Sequence, residues 1–484
     1  MRKDGPMSVC RTALCTAAVT LFALTLPTAT RAVPVRGSIP WDFIACSFSD
    51  TTNTPFSWSN LQTRLLSNSA GSLAQWISTT SYGTANLNGV TLRGYYTINE
   101  TAAQGQTDEN NGRGAVYSKC QQAAANGSGN YAFNQQSGRG LSVITWPGVD
   151  TYGSIGESMD GADQPVAEFA HELGHGLGLN HSWSNDYKFF DPPGSTVGGD
   201  YDNQWDEMSY GNVYTATAIP DNQFGGGPGL DGYRLDFLGW LPMPRVVSFG
   251  ADGVTSKTVT LAALNQPSAS GYLLVRVPVD PNNPLHYFTL EYVTPTGFYS
   301  GIPGSVVLIN EVTQVGVELA KHFPQARNGP PGYYTTFLER VLGKSLGSGD
   351  GSPDNFYHGP GFDIVVKNLY SDHATVHITD TAVSRSQAAA VYGPNTCVHG
   401  YVWRAADDLD YVCVSPSVKG QAQVDNGAAA QRHLRGSRTC VSGFVWRSAF
   451  PGDYVCVFPS VRAQAAQDNA NTGTRYVIPL NSNT

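Results

Sequence analysis

Charge is what this sequence has least of. Only 14% of its 484 residues are Asp, Glu, Lys or Arg, against about 25% in an average soluble domain. Basic residues are the scarcer kind, 29 against 38 acidic ones, for a net charge of -9. Without a basic stripe to displace counterions, a nucleic-acid partner is not expected. Long apolar runs are also missing. Past residue 32 no segment reaches the roughly 18 apolar residues of a spanning helix, so no membrane span is expected. Disorder is excluded as well, because hydrophobic residues make up 41% and aromatics 11% of the chain.

What replaces the charge is Gly, at 53 residues, together with Ser, Thr, Asn and Gln. That mixture favours turns and short strands. The length predicts two or three domains of about 150 residues. Residues 1–32 have the plan of a secretory signal peptide. Arg2 and Lys3 precede an uncharged apolar run, Ala13 to Leu26, and small residues up to Ala32 offer cleavage sites. A secreted, extracellular protein is therefore expected.

Eight cysteines are present, and Cys10 and Cys15 would leave with the signal. The last four of the remaining six fall in a repeat. Cys397-Val-His-Gly-Tyr-Val-Trp403-Arg404 returns 43 residues on as Cys440-Val-Ser-Gly-Phe-Val-Trp446-Arg447, and Asp410-Tyr-Val-Cys413 returns as Asp453-Tyr-Val-Cys456. Units this small need a staple, so a disulfide is expected within each. Elimination leaves Cys46 to pair with Cys120. After each unit an Ala/Gln-rich stretch reads as a short helix or a linker.

The expected organisation is a mixed domain over 33–245, a β-rich, sandwich-like domain over 246–383, a linker at 384–394 and the two repeats over 395–484. In the first, strand candidates such as Phe43–Phe48, Leu92–Ile98 and Leu141–Trp146 alternate with helix candidates at Trp58–Ser67, Ala115–Ala125 and Gln164–Leu177. That alternation points to a layered domain of helices and strands. In the second, period-two segments between Pro- and Gly-bearing turns read as a sandwich.

The chemistry is concentrated in His171-Glu172-Leu-Gly-His175-Gly-Leu-Gly178-Leu-Asn-His181. At 100° per residue, His171 and His175 project from one face of a helix, one turn apart, and can share a zinc ion. Glu172 lies beside that face, placed to touch a zinc-activated water. Gly178 can adopt a left-handed conformation at no steric cost, which ends the helix and returns His181 as third ligand.

These eleven residues resemble the metzincin zinc peptidases. Asp206-Glu-Met208-Ser-Tyr210-Gly211 is similar to the Met-turn of that clan. Ser182, and Gly232-Tyr-Arg-Leu-Asp-Phe-Leu-Gly-Trp240, look most like gametolysin-like enzymes. Tyr287–Tyr292 and Gly301–Ile309 are similar to the region that follows the catalytic domain in those and in immune-inhibitor-A-like peptidases. The specific motifs cover residues 171 to 240, and the repeats lie outside the resemblance.

The resemblance implies an α+β fold. A twisted mixed sheet with an active-site helix is followed by the β-rich domain and the stapled repeats. It also implies a zinc endopeptidase acting on polypeptides, with Glu172 as general base and Met208 as an apolar floor under the histidines. Tyr210 would stabilise the oxyanion, its plainer alternative being a packed tyrosine. Two other functions stay open: a surface-binding protein with a vestigial zinc site, and a zinc hydrolase of a non-peptide substrate. The repeats would target a cell-surface or matrix component, or simply stabilise the chain. Calcium is a second candidate cofactor at Asp191, Asp200, Asp202 and Asp206, for which a solvated loop is the plainer reading.

Overall fold

The computed structural model describes residues 35–52, 57–127, 139–185, 199–209, 211, 213–217, 225–316, 318, 333–343, 355–380 and 391–477. The expected signal peptide and Tyr210 lie outside them, as do Asp191 and most of the linker.

The first region is built on a five-stranded sheet in the order Leu92–Ile98, Trp41–Phe48, Gly140–Trp146, Glu157–Gly161, Tyr152–Ser154. The first four strands are parallel, and the short edge strand Tyr152–Ser154 is antiparallel to its neighbour. Trp41–Phe48 is buried along almost its whole length, as a central strand covered on both faces must be. Ser57 and Ser72 cap the helices Trp58–Leu66 and Leu73–Thr80. Thr101 and Gln104 form a capping box at the start of Ala102–Asn111. Helix Ala115–Asn126 is stapled to the central strand by Cys46–Cys120, the pairing expected by elimination.

The second region is a sandwich of two sheets. One is antiparallel, ordered Ser256–Ala262, His373–Asp380, Phe362–Leu369, Phe356–Gly359. The other has six strands, ordered Trp183–Ser184, Tyr334–Leu342, Val306–Gln314, Tyr287–Val293, Leu274–Pro278, Val246–Ser248. Val275, Leu290, Val307, Ile309, Ile364 and Val376 are among the buried side chains between them. The larger sheet begins with a strand that follows directly on His181, so residues from before position 245 belong to it. A separate hydrophobic core also runs across position 245, from Trp41 and Phe169 through Trp240 to Leu274 and Leu308. The two regions therefore share one packed interior.

The C-terminal units each contain a two-stranded ribbon, Val402–Trp403 with Cys413–Val414 and Val445–Trp446 with Cys456–Val457. Disulfides Cys397–Cys413 and Cys440–Cys456 close them as expected. The Ala/Gln-rich stretches are helices, Pro416–Gly427 and Pro459–Asn471. The arm after each helix closes a unit. Arg432 and His433 reach the carbonyls of Cys456 and Tyr454 in the second unit, while Arg475 and Tyr476 reach those of Cys413 and Tyr411 in the first. The pair of units is thus a closed ring.

Candidate metal centre

Helix Val166–Gly176 packs on the strands Glu157–Gly161 and Tyr152–Ser154. Its end follows from Gly178, which has φ 92°. With that residue left-handed, Leu179 N donates to Gly174 O (2.9 Å) and Gly178 N to His175 O (2.8 Å), the paired bonds of a Schellman cap. The chain then turns back, and His181 faces the helix. Met208 lies beneath. A Cβ on Gly174 would meet its sulfur at 2.6 Å, so the glycine lets the Met208 side chain lie close against the helix.

His171, His175 and His181 each offer a nitrogen within 4.8 Å of the others. Among the described residues no other His, Cys, Asp or Glu cluster of three could share an ion. Each Nδ1 faces an oxygen: Glu207 O at 3.1 Å for His171, Leu179 O at 2.8 Å for His175, and Asp200 Oδ1 at 3.3 Å for His181. A backbone carbonyl can only accept, so Nδ1 of His171 and of His175 carries the proton and Nε2 carries a lone pair. Those two Nε2 atoms stand 3.0 Å apart. Two lone pairs so close repel unless a cation lies between them. Two nitrogens on a tetrahedral zinc, each at ~2.0–2.1 Å, would stand about 3.3 Å apart. Burial, reinforced by the neighbouring rings, holds His171 well below the ordinary imidazole range and brings His175 down to about 3. Both rings are therefore neutral at neutral pH, as a metal ligand must be.

Glu172 is buried, and its Oε2 has no hydrogen-bond partner among the described residues. The edge strand passes directly over it, since a Cβ on Gly153 would meet Glu172 O at 2.5 Å and Oε2 at 2.9 Å. Burial, then Glu168, pushes the Glu172 carboxyl well above the usual carboxylate range. A base tuned upward in this way suits proton transfer near neutral pH.

The His181 loop is held from behind. Arg234, fully buried, pairs with Asp206 (2.8 Å) and Asp231 (2.5 Å). Its Nη2 donates to Asn180 O (2.8 Å) and to the Thr335 hydroxyl (3.0 Å), and Thr335 in turn donates to His181 O (2.5 Å). Asp206 also accepts from the Ser182 hydroxyl. The carbonyls of Asn180 and His181 are thus fixed from helix Gly232–Phe237 and the sandwich strand Tyr334–Leu342.

The structure brings together the three histidines and Glu172. Two of the four loop aspartates do not fit a solvated loop: Asp202 and Asp206 are fully buried, and Asp206 is engaged by Arg234. Asp200 instead faces His181. Sequence reasoning missed Tyr201. Its hydroxyl lies 2.7 Å from His181 Nε2, its ring centroid 3.9 Å from the imidazole, and its φ of 60° is unusual for a residue with a Cβ. No local spacing marks it. Arg234 was also missed as a site residue, although it stands in a quoted motif. No protein-family model and no curated protein sequence matches this chain.

Proposed function

We propose that this chain is an exported zinc-dependent endopeptidase, with His171, His175 and His181 holding the ion and Glu172 as general base. The observation that carries the reading is the pair of His171 and His175 Nε2 lone pairs facing each other at 3.0 Å, with His181 beside them. Three imidazoles, two with Nδ1 committed to carbonyl oxygens, form the donor set that zinc favours. When bound, zinc supplies Lewis acidity toward a carbonyl and lowers the pKa of water.

The chain's own residues supply the rest. Glu172 takes a proton from the attacking water and returns it to the departing amine. The strand Tyr152–Ser154 is an edge, pairing with no further strand among the described residues. It offers backbone groups to an extended peptide laid beside Glu172, which favours a polypeptide over a non-peptide substrate. Three disulfides support a place outside the reducing cytosol. No helix among the described residues is long and apolar enough to cross a membrane.

The test is a Glu172→Gln protein assayed for zinc content and for hydrolysis of a denatured protein. One bound zinc with activity reduced about 10²–10⁴-fold is expected. Undiminished proteolysis by the folded variant would reject the assignment. Hydrolysis of esters or glycans in place of peptides would move it to the non-peptide class.

A further inference from the structure

The two C-terminal units present the same aromatic face in different circumstances. In the first, Trp403 and Tyr411 stand edge to face at 5.0 Å, and the indole Nε1 donates to Asn395 O (2.6 Å). In the second, Trp446 and Tyr454 stand edge to face at 5.0 Å, and the indole Nε1 donates to Arg438 O (2.6 Å). Backbone geometry repeats as well, with φ 51° at both Ala405 and Ser448. Their surroundings do not. The face of the first unit is seated on the segment Leu241-Pro242-Met243. Tyr411 donates its hydroxyl to Leu241 O (2.8 Å), Met243 N donates to Asp408 O (2.8 Å), and Met243 packs against the Tyr411 cluster. Tyr411 is accordingly 1% exposed.

Among the described residues no such cover is seated on the face of the second unit. Trp446 is 41% exposed, Tyr454 is half-buried, and the Tyr454 hydroxyl has no hydrogen-bond partner among the described residues. A rigid aromatic pair with a free phenolic donor at its rim has the composition of an interface anchor. The disulfide Cys440–Cys456 and the buried Arg447–Asp453 pair fix it in position.

From this internal comparison we infer that the Trp446–Tyr454 face is a docking site for a short proline–apolar segment of another polypeptide, of the kind that Pro242-Met243 presents to the first unit. The first unit shows how such a segment is held. The Met243 side chain packs on the ring pair, and the Leu241 carbonyl accepts from the tyrosine hydroxyl. Proline fits because it fixes the chain in an extended form and needs no partner for a missing N–H. Arg438, whose guanidinium lies 4.7 Å from the Tyr454 ring, stands where the first unit has Asn395. It adds a positive rim, so a segment flanked by acidic residues is favoured over one flanked by basic residues. The proposal is independent of the peptidase reading.

The experiment titrates the full chain, carrying Glu172→Gln so that the probe survives, with a fluorescent peptide reproducing residues 239–245. Fluorescence anisotropy is the readout. Saturable binding is expected, weakened about tenfold or more by Trp446→Ala and severalfold by Tyr454→Phe. The second variant keeps the ring and guards against misfolding of the first. A scrambled peptide should bind at least about tenfold more weakly. Absence of saturable binding, or equal binding by both variants, would overturn the inference. So would Trp446-dependent binding of oligosaccharides alone, or Trp446-dependent self-association of the chain, since either gives the face a different occupant.

Discussion

The histidine cluster and the C-terminal ring both rest on an arginine buried against aspartate, but they use the pair in opposite ways. Arg404 and Arg447 each bind, through two nitrogens, an aspartate six positions along the same unit, Asp410 and Asp453. The pair closes a local turn, and the sequence repeats it together with the cysteines. Arg234 instead joins Asp206 in the turn below the histidines, Asp231 at its own helix start and Thr335 in the sandwich. One pair is a fastener within a unit. The other is a junction between segments far apart in the chain, and it ends on the backbone of His181.

The comparison can be broken most sharply at its chemical end. Glu172→Gln should reduce proteolysis about 10²–10⁴-fold while leaving zinc content and both arginine networks intact, as read by metal analysis and unfolding curves. Next is Arg234→Met. Removing one partner of a buried ion pair costs about 3–5 kcal/mol. Because His181 also loses its support, zinc affinity should fall about 10–100-fold, the scale of an outer-shell defect. Competition against a chromogenic chelator measures this, and unchanged affinity would reduce Arg234 to a purely structural part.

Arg404→Met and Arg447→Met should destabilise the ring without touching zinc affinity. Arg404 should cost about 1 kcal/mol more, because it also reaches Ala465 O and Asn469 Oδ1 across the ring. Denaturant titration of the two variants tests the ranking. Acid separates the regions again. His175 titrates at about 3 in the folded chain, below its ordinary 6.5. Between those values the unfolded chain binds the additional proton, so folding weakens as pH falls through the window. Without metal, the stability difference between the parent chain and His175→Leu should shrink from pH ~6.5 toward ~3. The smallest effect belongs to Tyr201→Phe. It removes one hydrogen bond to His181 (2.7 Å), worth about 0.5–1.5 kcal/mol, and is measured as a shift in the unfolding midpoint of the metal-free chain.

Local signals were legible. Residues 171–181 announced the helix, its stop at Gly178 and the return of His181, because one helical turn and one left-handed glycine determine all three. The disulfides followed from the repeat. Sandwich strands with one solvated side, such as Ser256–Ala262, alternate visibly. Tyr334–Leu342 does not, because its first half is buried on both faces, and it was missed. The strand Trp183–Ser184 is too short to carry any pattern, yet it carries the third ligand's loop into the larger sheet and so joins the two regions. Arg234 and Tyr201 were hidden for a related reason. Their roles depend on partners brought together only by the tertiary fold, and neither has a spacing that marks it.

The closed ring bears on the order in which the protein is made. The carbonyls of Cys413 and Tyr411 in the first unit are bound only when Arg475 and Tyr476 have been made. Those residues leave the ribosome after the whole second unit. The second unit is closed by Arg432 and His433, which precede it. Although it is encoded later, the second unit has its closing arm ahead of it in the chain, whereas the arm that closes the first unit comes last.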